Sequence, residues 1–94
     1  MGEGDIVIGK HKTKIIKDGD KIIVTYHQTA VVIVTKKWVT LNSGGHTTAT
    51  TKKRMNQVSE TYHLGFYVYQ QQFKWVVRYK GLDLEFFDGI VLER

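Results

Sequence analysis

Asn42-Ser43-Gly44-Gly45-His46-Thr47-Thr48-Ala49-Thr50-Thr51-Lys52-Lys53-Arg54-Met55-Asn56-Gln57-Val58 is the stretch in which the hydrophobic period of the chain changes. Up to Leu41 the apolar residues fall in short runs of strand character. Past the paired glycines, Met55, Val58 and Tyr62 fall at i, i+3 and i+7, one face of an α-helix. The spacing predicts a helix from about Thr51 to Leu64, with Thr51 or Thr50 as N-cap and Gly65 as C-cap. A helix of this length is not stable alone in water, so it must lay Met55, Val58 and Tyr62 on a sheet as a lid over one face.

Working towards the N-terminus, Trp38 to Leu41 alternates, with Trp38 and Thr40 on one face and Val39 and Leu41 on the other. Lys36-Lys37 separates it from Ala30 to Thr35, apolar on both faces, which predicts a central strand covered on both sides. Lys12 to Lys17 and Lys21 to Tyr26 flank Asp18-Gly19-Asp20, a strong hairpin signal. Towards the C-terminus, Phe66 to Gln70 and Lys74 to Tyr79 alternate around a Gln71-Gln72-Phe73 turn, with Phe66, Val68, Trp75 and Val77 as candidate core. Lys80-Gly81 leads into Leu82 to Phe87, and Asp88-Gly89 into Ile90 to Leu92 as a closing hairpin, so the tail reads as a β-meander. The expected fold is α+β: about 7 to 8 short strands in a mainly antiparallel sheet with a single α-helix on one face, in the order ββββαβββ.

Ninety-four residues form one domain at most, spanning 1–94, and 41% hydrophobic with 24% charged residues is the composition of a folding chain. No cysteine is present, which removes disulfides, thiolate metal sites and cysteine nucleophiles together. Such a domain rests on packed β-branched and aromatic side chains or on a second copy of itself as a homodimer. The longest apolar run, Ala30 to Val34, is far short of the roughly 18 residues that cross a bilayer. Met1 to Asp5 lacks the pattern of a secretory signal, so the expected place is the cytoplasm, with no membrane partner.

The net charge of +5 is concentrated in residues 10–54, which hold nine lysines and Arg54 against Asp18 and Asp20. That half can steer nucleic acid, a nucleotide or an acidic protein surface; excess lysine is equally a solubility device. Within it, Gly44, Gly45, Thr47, Thr50, Thr51, Lys52, Lys53 and Arg54 combine three anion-friendly features: exposed backbone N–H groups, hydroxyl donors and a helix N-terminus. Three cations in what reads as the first helical turn oppose the macrodipole, and a bound phosphate would compensate them. The segment is neither a Walker A loop nor a dinucleotide fingerprint. Its plainer reading is a turn, a threonine-rich segment and a solvated basic face.

Tyr67 and Tyr69 share a strand face, with Arg78 across the turn, and could stack bases; their plainer role is to rim a sheet. The four histidines show no metal-ligand spacing, and Ser43 three residues before His46 lacks the strained elbow of a nucleophile. Asp18 with Asp20 is a turn, and Asp83 with Glu85 a solvated strand face. The expectation is a protein without catalysis, cofactor or metal.

Tyr26-His27-x-Thr29-x-Val31-Val32, then Leu41-Asn42-Ser43-Gly44-Gly45-x-Thr47-x-x-Thr50-Thr51-Lys52-x-Arg54-Met55-Asn56-Gln57, then Val68-Tyr69-Gln70 and Trp75-Val76-Val77, resembles a group of small proteins encoded by tailed bacteriophages. Where that group commonly has Trp after the paired glycines, this chain has His46. The resemblance covers about half the chain, leaves residues 1–20 outside, and brings no established activity. It implies an accessory protein acting in the cytoplasm of the infected host cell. Small phage proteins of this kind often bind nucleic acid, neutralise a host enzyme or sequester a nucleotide signal of host defence. Two expectations follow: a non-enzymatic binder of a phosphate-bearing partner, nucleic acid or nucleotide, or an inhibitor that docks on an acidic surface of a host protein, for instance by adding a strand to a sheet edge.

Overall fold

The computed structural model describes residues 12–94, so Glu3, Asp5 and Lys10 of the charge argument lie outside the described residues. The Asp-Gly signal makes its hairpin: β1 (Thr13–Asp18) pairs with β2 (Lys21–Tyr26), and Asp18 faces Lys21 across the turn where Gly19 takes φ +60°. Next come β3 (Thr29–Val34), β4 (Trp38–Leu41), α1 (Ala49–Thr61), β5 (Phe66–Gln71), β6 (Lys74–Tyr79), β7 (Leu82–Glu85) and β8 (Ile90–Glu93). The architecture is α+β, with eight antiparallel strands and one helix; four strands precede the helix and four follow it.

The strands divide into two sheets, β1-β2-β3-β4-β8 and β5-β6-β7. This corrects the closing hairpin and the meander that ran to the end of the chain. Asp88-Gly89 does not fold β8 back on β7; β8 leaves for the larger sheet and pairs with β4, Leu41 opposite Ile90 and Val39 opposite Leu92. The pull is hydrophobic. Ile90 and Leu92 are buried beside Val39 and Leu41 in the core, a contact worth more than the exposed outer edge of β7.

The core lies between two layers. The inner face of the five-stranded sheet supplies Val24, Val32, Val34, Val39, Leu41, Ile90 and Leu92; opposite are Met55 and Val58 of α1 with Phe66, Val68, Trp75, Val77 and Tyr79 of β5 and β6. α1 packs over β2 and β3 and runs beside β5, so helix and small sheet together make the second layer.

β3 is central, as expected, but it is not covered on both sides. The register slips between Val24 and Thr25: Val24 pairs with Val32 and Thr25 with Ala30, leaving Val31 without an opposite residue. This β-bulge turns Val31 into the core at 1% exposure, so the apolar run marks a change of face. The outer face is an open row, Ile16-Ile23-Ile33-Thr40-Val91, in register across all five strands. Ile16 and Val91 at its ends are exposed.

Candidate nucleic-acid interface

Thr48 caps α1 from extended backbone, its Oγ1 accepting from the Thr51 N–H at 3.2 Å. The cap thus falls before both threonines expected to serve, because Thr51 is fully buried against the sheet and its hydroxyl sits 3.1 Å from that of Thr48. The first turn is Ala49 to Lys52 and holds no acid. Lys53 and Arg54 lie beyond it, where the opposing dipole has faded. The other end is also displaced. Tyr62 is the C-cap, His63 takes the left-handed φ of +55°, and Leu64 N–H donates to Ser59 O at 2.9 Å, the long bond of a Schellman motif. Gly65 lies past that bond.

The glycine loop is built from its own polar groups. Ser43, 3% exposed, donates through its N–H and its hydroxyl to one oxygen of Asp88, at 2.8 and 2.7 Å. Gly44 N–H donates to Asn42 Oδ1, Gly45 N–H to Ser43 Oγ and His46 N–H to Ser43 O. The amides expected to cradle a phosphate are therefore engaged. Gly44, at φ +64°, has a separate reason to be glycine: any Cβ there would overlap the side chain of Thr29. Ser43 and Asp88 pin a loop, with His46 exposed beside them.

The eight residues expected to form one anion site fan out around the helix. Gly44, Gly45 and Thr47 are exposed in the loop, Thr50 is half-buried and Thr51 is core. Arg54 turns the other way, 7% exposed, its Nε donating to Thr13 Oγ1 of β1 at 3.0 Å and its guanidinium 5.6 Å from the Tyr26 ring. A cationic residue on the buried stripe has no sequence signature beyond its place one residue before Met55.

What the structure does bring together is Lys52, Lys53, Tyr67 and Tyr69. They line a groove of about 470 Å³ between α1 and β5, with Gln57 and Gln70 along it and Glu60 at one side. Lys52 Nζ donates to Gln70 Oε1 at 3.3 Å and reaches to 5.8 Å from the Trp75 ring; Lys53 is exposed. The two tyrosine rings stack at 6.1 Å and 21°, and Tyr67 is 57% exposed.

The groove has a rigid floor. β5 is an edge strand, and α1 closes its edge with two side chains one turn apart: Asn56 bonds the N–H and C=O of Val68 at 2.7 and 2.8 Å, and Ser59 those of Phe66 at 3.0 and 2.7 Å. Each side chain supplies one donor and one acceptor, as a neighbouring strand would. Strand addition at this edge is thereby blocked along Phe66 to Val68.

Arg78, opposite Tyr67, lies 5.9 Å from the Tyr69 ring, but its charge is engaged by Asp83 through paired contacts of 2.9 and 3.2 Å. The guanidinium holds the Asp83 carboxyl below the usual carboxylate range. Burial, followed by the nearby Asp83, pushes the Tyr69 phenol up. The Gln71-Gln72-Phe73 turn forms where expected, and what its residue types did not signal is the backbone at Phe73. Phe73 is 95% exposed at the tip of the β5–β6 turn, where Gln72 and Phe73 both take left-handed backbone in a chain position that offers no glycine. Its signal was the absence of a turn-forming pair between two strands.

Among the described residues, no three of His, Asp and Glu gather as metal ligands, and no helix is long and apolar enough to cross a membrane. The fold and groove define a small two-layer α+β protein with a cationic, aromatic groove beside its helix. The chain belongs to the Kyanoviridae Gp96 protein family, whose model matches residues 4–93, and it is accordingly a tailed-phage protein. Neither the curated proteins nor the solved structures contain a match to it.

Proposed function

We propose that this phage protein binds a phosphate-bearing partner, single-stranded nucleic acid, in the groove between α1 and β5, without catalysis. The observation that supports the reading is the convergence of Lys52 and Lys53 with the stacked pair Tyr67–Tyr69 on one rigid groove. Cations track a backbone while a π-face accepts any base, the combination general to single-strand binders. The test is a salt titration of oligonucleotide binding by anisotropy. Lys52→Ala with Lys53→Ala should weaken binding and flatten the slope of log K against log salt by about 1.4, at roughly 0.7 per phosphate contact. Tyr67→Ala should cost about 1–3 kcal/mol while leaving that slope unchanged. An unchanged affinity in both folded variants removes the groove.

A second reading, docking on an acidic host protein in the infected cell, is favoured by the open row Ile16-Ile23-Ile33-Thr40-Val91 with Lys14 and Lys21 beside it. Ile16→Glu with Val91→Glu would abolish such an interaction and spare oligonucleotide binding, whereas the lysine variants would do the reverse.

A further inference from the structure

Arg54 is 7% exposed and carries a charge that protein surroundings do not remove. Its Nε donates to Thr13 Oγ1 at 3.0 Å, Nη1 donates to Gln57 Oε1 at 3.4 Å, and the guanidinium lies 5.6 Å from the Tyr26 ring centroid. The ion pairs among the described residues are Lys36–Asp20 and Arg78–Asp83, and no described carboxylate pairs with Arg54. A hydroxyl, an amide and a ring satisfy donors, but they do not supply the counter-charge that a buried cation ordinarily has.

Thr13 is also part of the wall of a cleft of about 630 Å³ whose other lining includes Lys12, Lys14, His27, Thr29 and His46, with no acid among the described residues that line it. The loop before α1 forms one side, seated by the contact of Gly44 with Thr29. His46 thereby comes to 6.4 Å from His27, ring centre to ring centre. His27 holds left-handed backbone at φ +58° and sets its ring edge-on to Tyr26 at 4.3 Å, the same tyrosine that lies beside Arg54. The cleft thus combines cationic and imidazole donors, a fixed shape and a buried guanidinium behind its wall.

We propose that this cleft binds a dianionic phosphate group, the terminal phosphate of a nucleotide or of a nucleic-acid 5′ end. Lys12, Lys14, His27 and His46 supply the donors, and Arg54, through Thr13, supplies a charge that no described carboxylate pairs. The volume fits a mononucleotide, within the roughly 300–1,000 Å³ of small-molecule sites. The site is separate from the α1–β5 groove: Arg54 leaves the helix towards β1 and β2, Lys52 towards β5.

Titration calorimetry at matched ionic strength, with inorganic phosphate, adenosine 5′-monophosphate and adenosine, tests it. Phosphate and the monophosphate should bind at one site and adenosine should not. Lys14→Ala and His46→Ala, both at exposed positions, should each weaken the monophosphate about tenfold, as for the loss of a charge-assisted hydrogen bond. Lys52→Ala with Lys53→Ala should leave it unchanged. Arg54→Met keeps the volume and removes the charge, so it should raise the denaturation midpoint without phosphate and shrink the shift that phosphate produces. A 5′-phosphorylated oligonucleotide that outbinds its 5′-hydroxyl twin, with the difference lost in Lys14→Ala, identifies a nucleic-acid end as the source; equal binding of the twins beside a bound monophosphate identifies a free nucleotide. Absence of phosphate and monophosphate binding at millimolar concentration overturns the proposal. So does adenosine binding as well as its monophosphate, or loss of phosphate binding in the Lys52/Lys53 variant alone. Oligonucleotide affinity of the groove is read separately, so either site can fail without the other.

Discussion

Ser59→Ala should destabilise the protein far more than the loss of one hydroxyl on a helix suggests. The side chain is 5% exposed, and Phe66, whose backbone it serves, is 4% exposed. The hydroxyl donates to Phe66 O at 2.7 Å and accepts from Phe66 N–H at 3.0 Å. Truncation leaves both backbone groups facing a methyl group in a place water does not reach. An unsatisfied buried group costs about 1–3 kcal/mol, so the pair together should cost about 2–6 kcal/mol. A domain of this size has only about 5–14 kcal/mol in total. Urea denaturation followed by circular dichroism and by the fluorescence of buried Trp75 measures the change. The slope with denaturant should stay the same while the midpoint falls. Glu60→Ala, one residue on and exposed, is the control and should shift stability by less than about 0.5 kcal/mol. A loss below about 1 kcal/mol in Ser59→Ala would refute the argument that the helix side chain substitutes for a missing strand.

Gly44→Ala and Gly45→Ala share the cost of left-handed backbone, about 1 kcal/mol, but only the first meets Thr29, so it should be the more destabilising by about 1–3 kcal/mol in thermal melts. Phe73→Asn places a residue tolerant of left-handed backbone at the exposed turn and should stabilise by about 0.5–1 kcal/mol; an unchanged or lower midpoint would show that the turn carries no strain. Asp83 has its carboxyl pKa lowered by Arg78, so its contribution is present above the ordinary carboxylate range and is lost as pH falls through the depressed folded value. Carbon-detected titration should place Asp83 below the ordinary carboxylate range in wild type, and return it to that range in Arg78→Ala.

The parts of the fold legible in the sequence were those set by local rules. Asp18-Gly19-Asp20 has one good use, a tight turn, and Met55, Val58 and Tyr62 have one good period. The division into two sheets was not legible because Ile90-Val91-Leu92 alternates in the same way whichever strand it joins; the choice rests on which buried residues it meets. The bulge at Val31 was hidden for a related reason, since an apolar run looks alike whether both faces are covered or one residue changes face. At the candidate site, Lys52, Lys53, Tyr67 and Tyr69 could be named from residue type and do converge. Thr51 and Arg54 could not be placed, because their polarity argues for the surface while their position on the helix, beside Met55 and Val58, puts them inside. The loop amides misled in the opposite sense: glycines announce exposed N–H groups, yet Asn42 and Ser43 had already supplied acceptors.

The pairing of β4 with β8 sets an order of events for folding. β1 to β4 can zip through successive short turns, while Leu41 must wait for Ile90 with α1 and three strands between them. Closing that span as unstructured chain costs about 3 kcal/mol more entropy than closing a two-residue turn. The economical route forms α1 and the β5–β7 hairpins first, which carries the chain back across the core and delivers β8 to its edge at little further cost. Until then Val39 and Leu41 end an open sheet, so the interval before β8 arrives is when one nascent copy is most exposed to pairing with another.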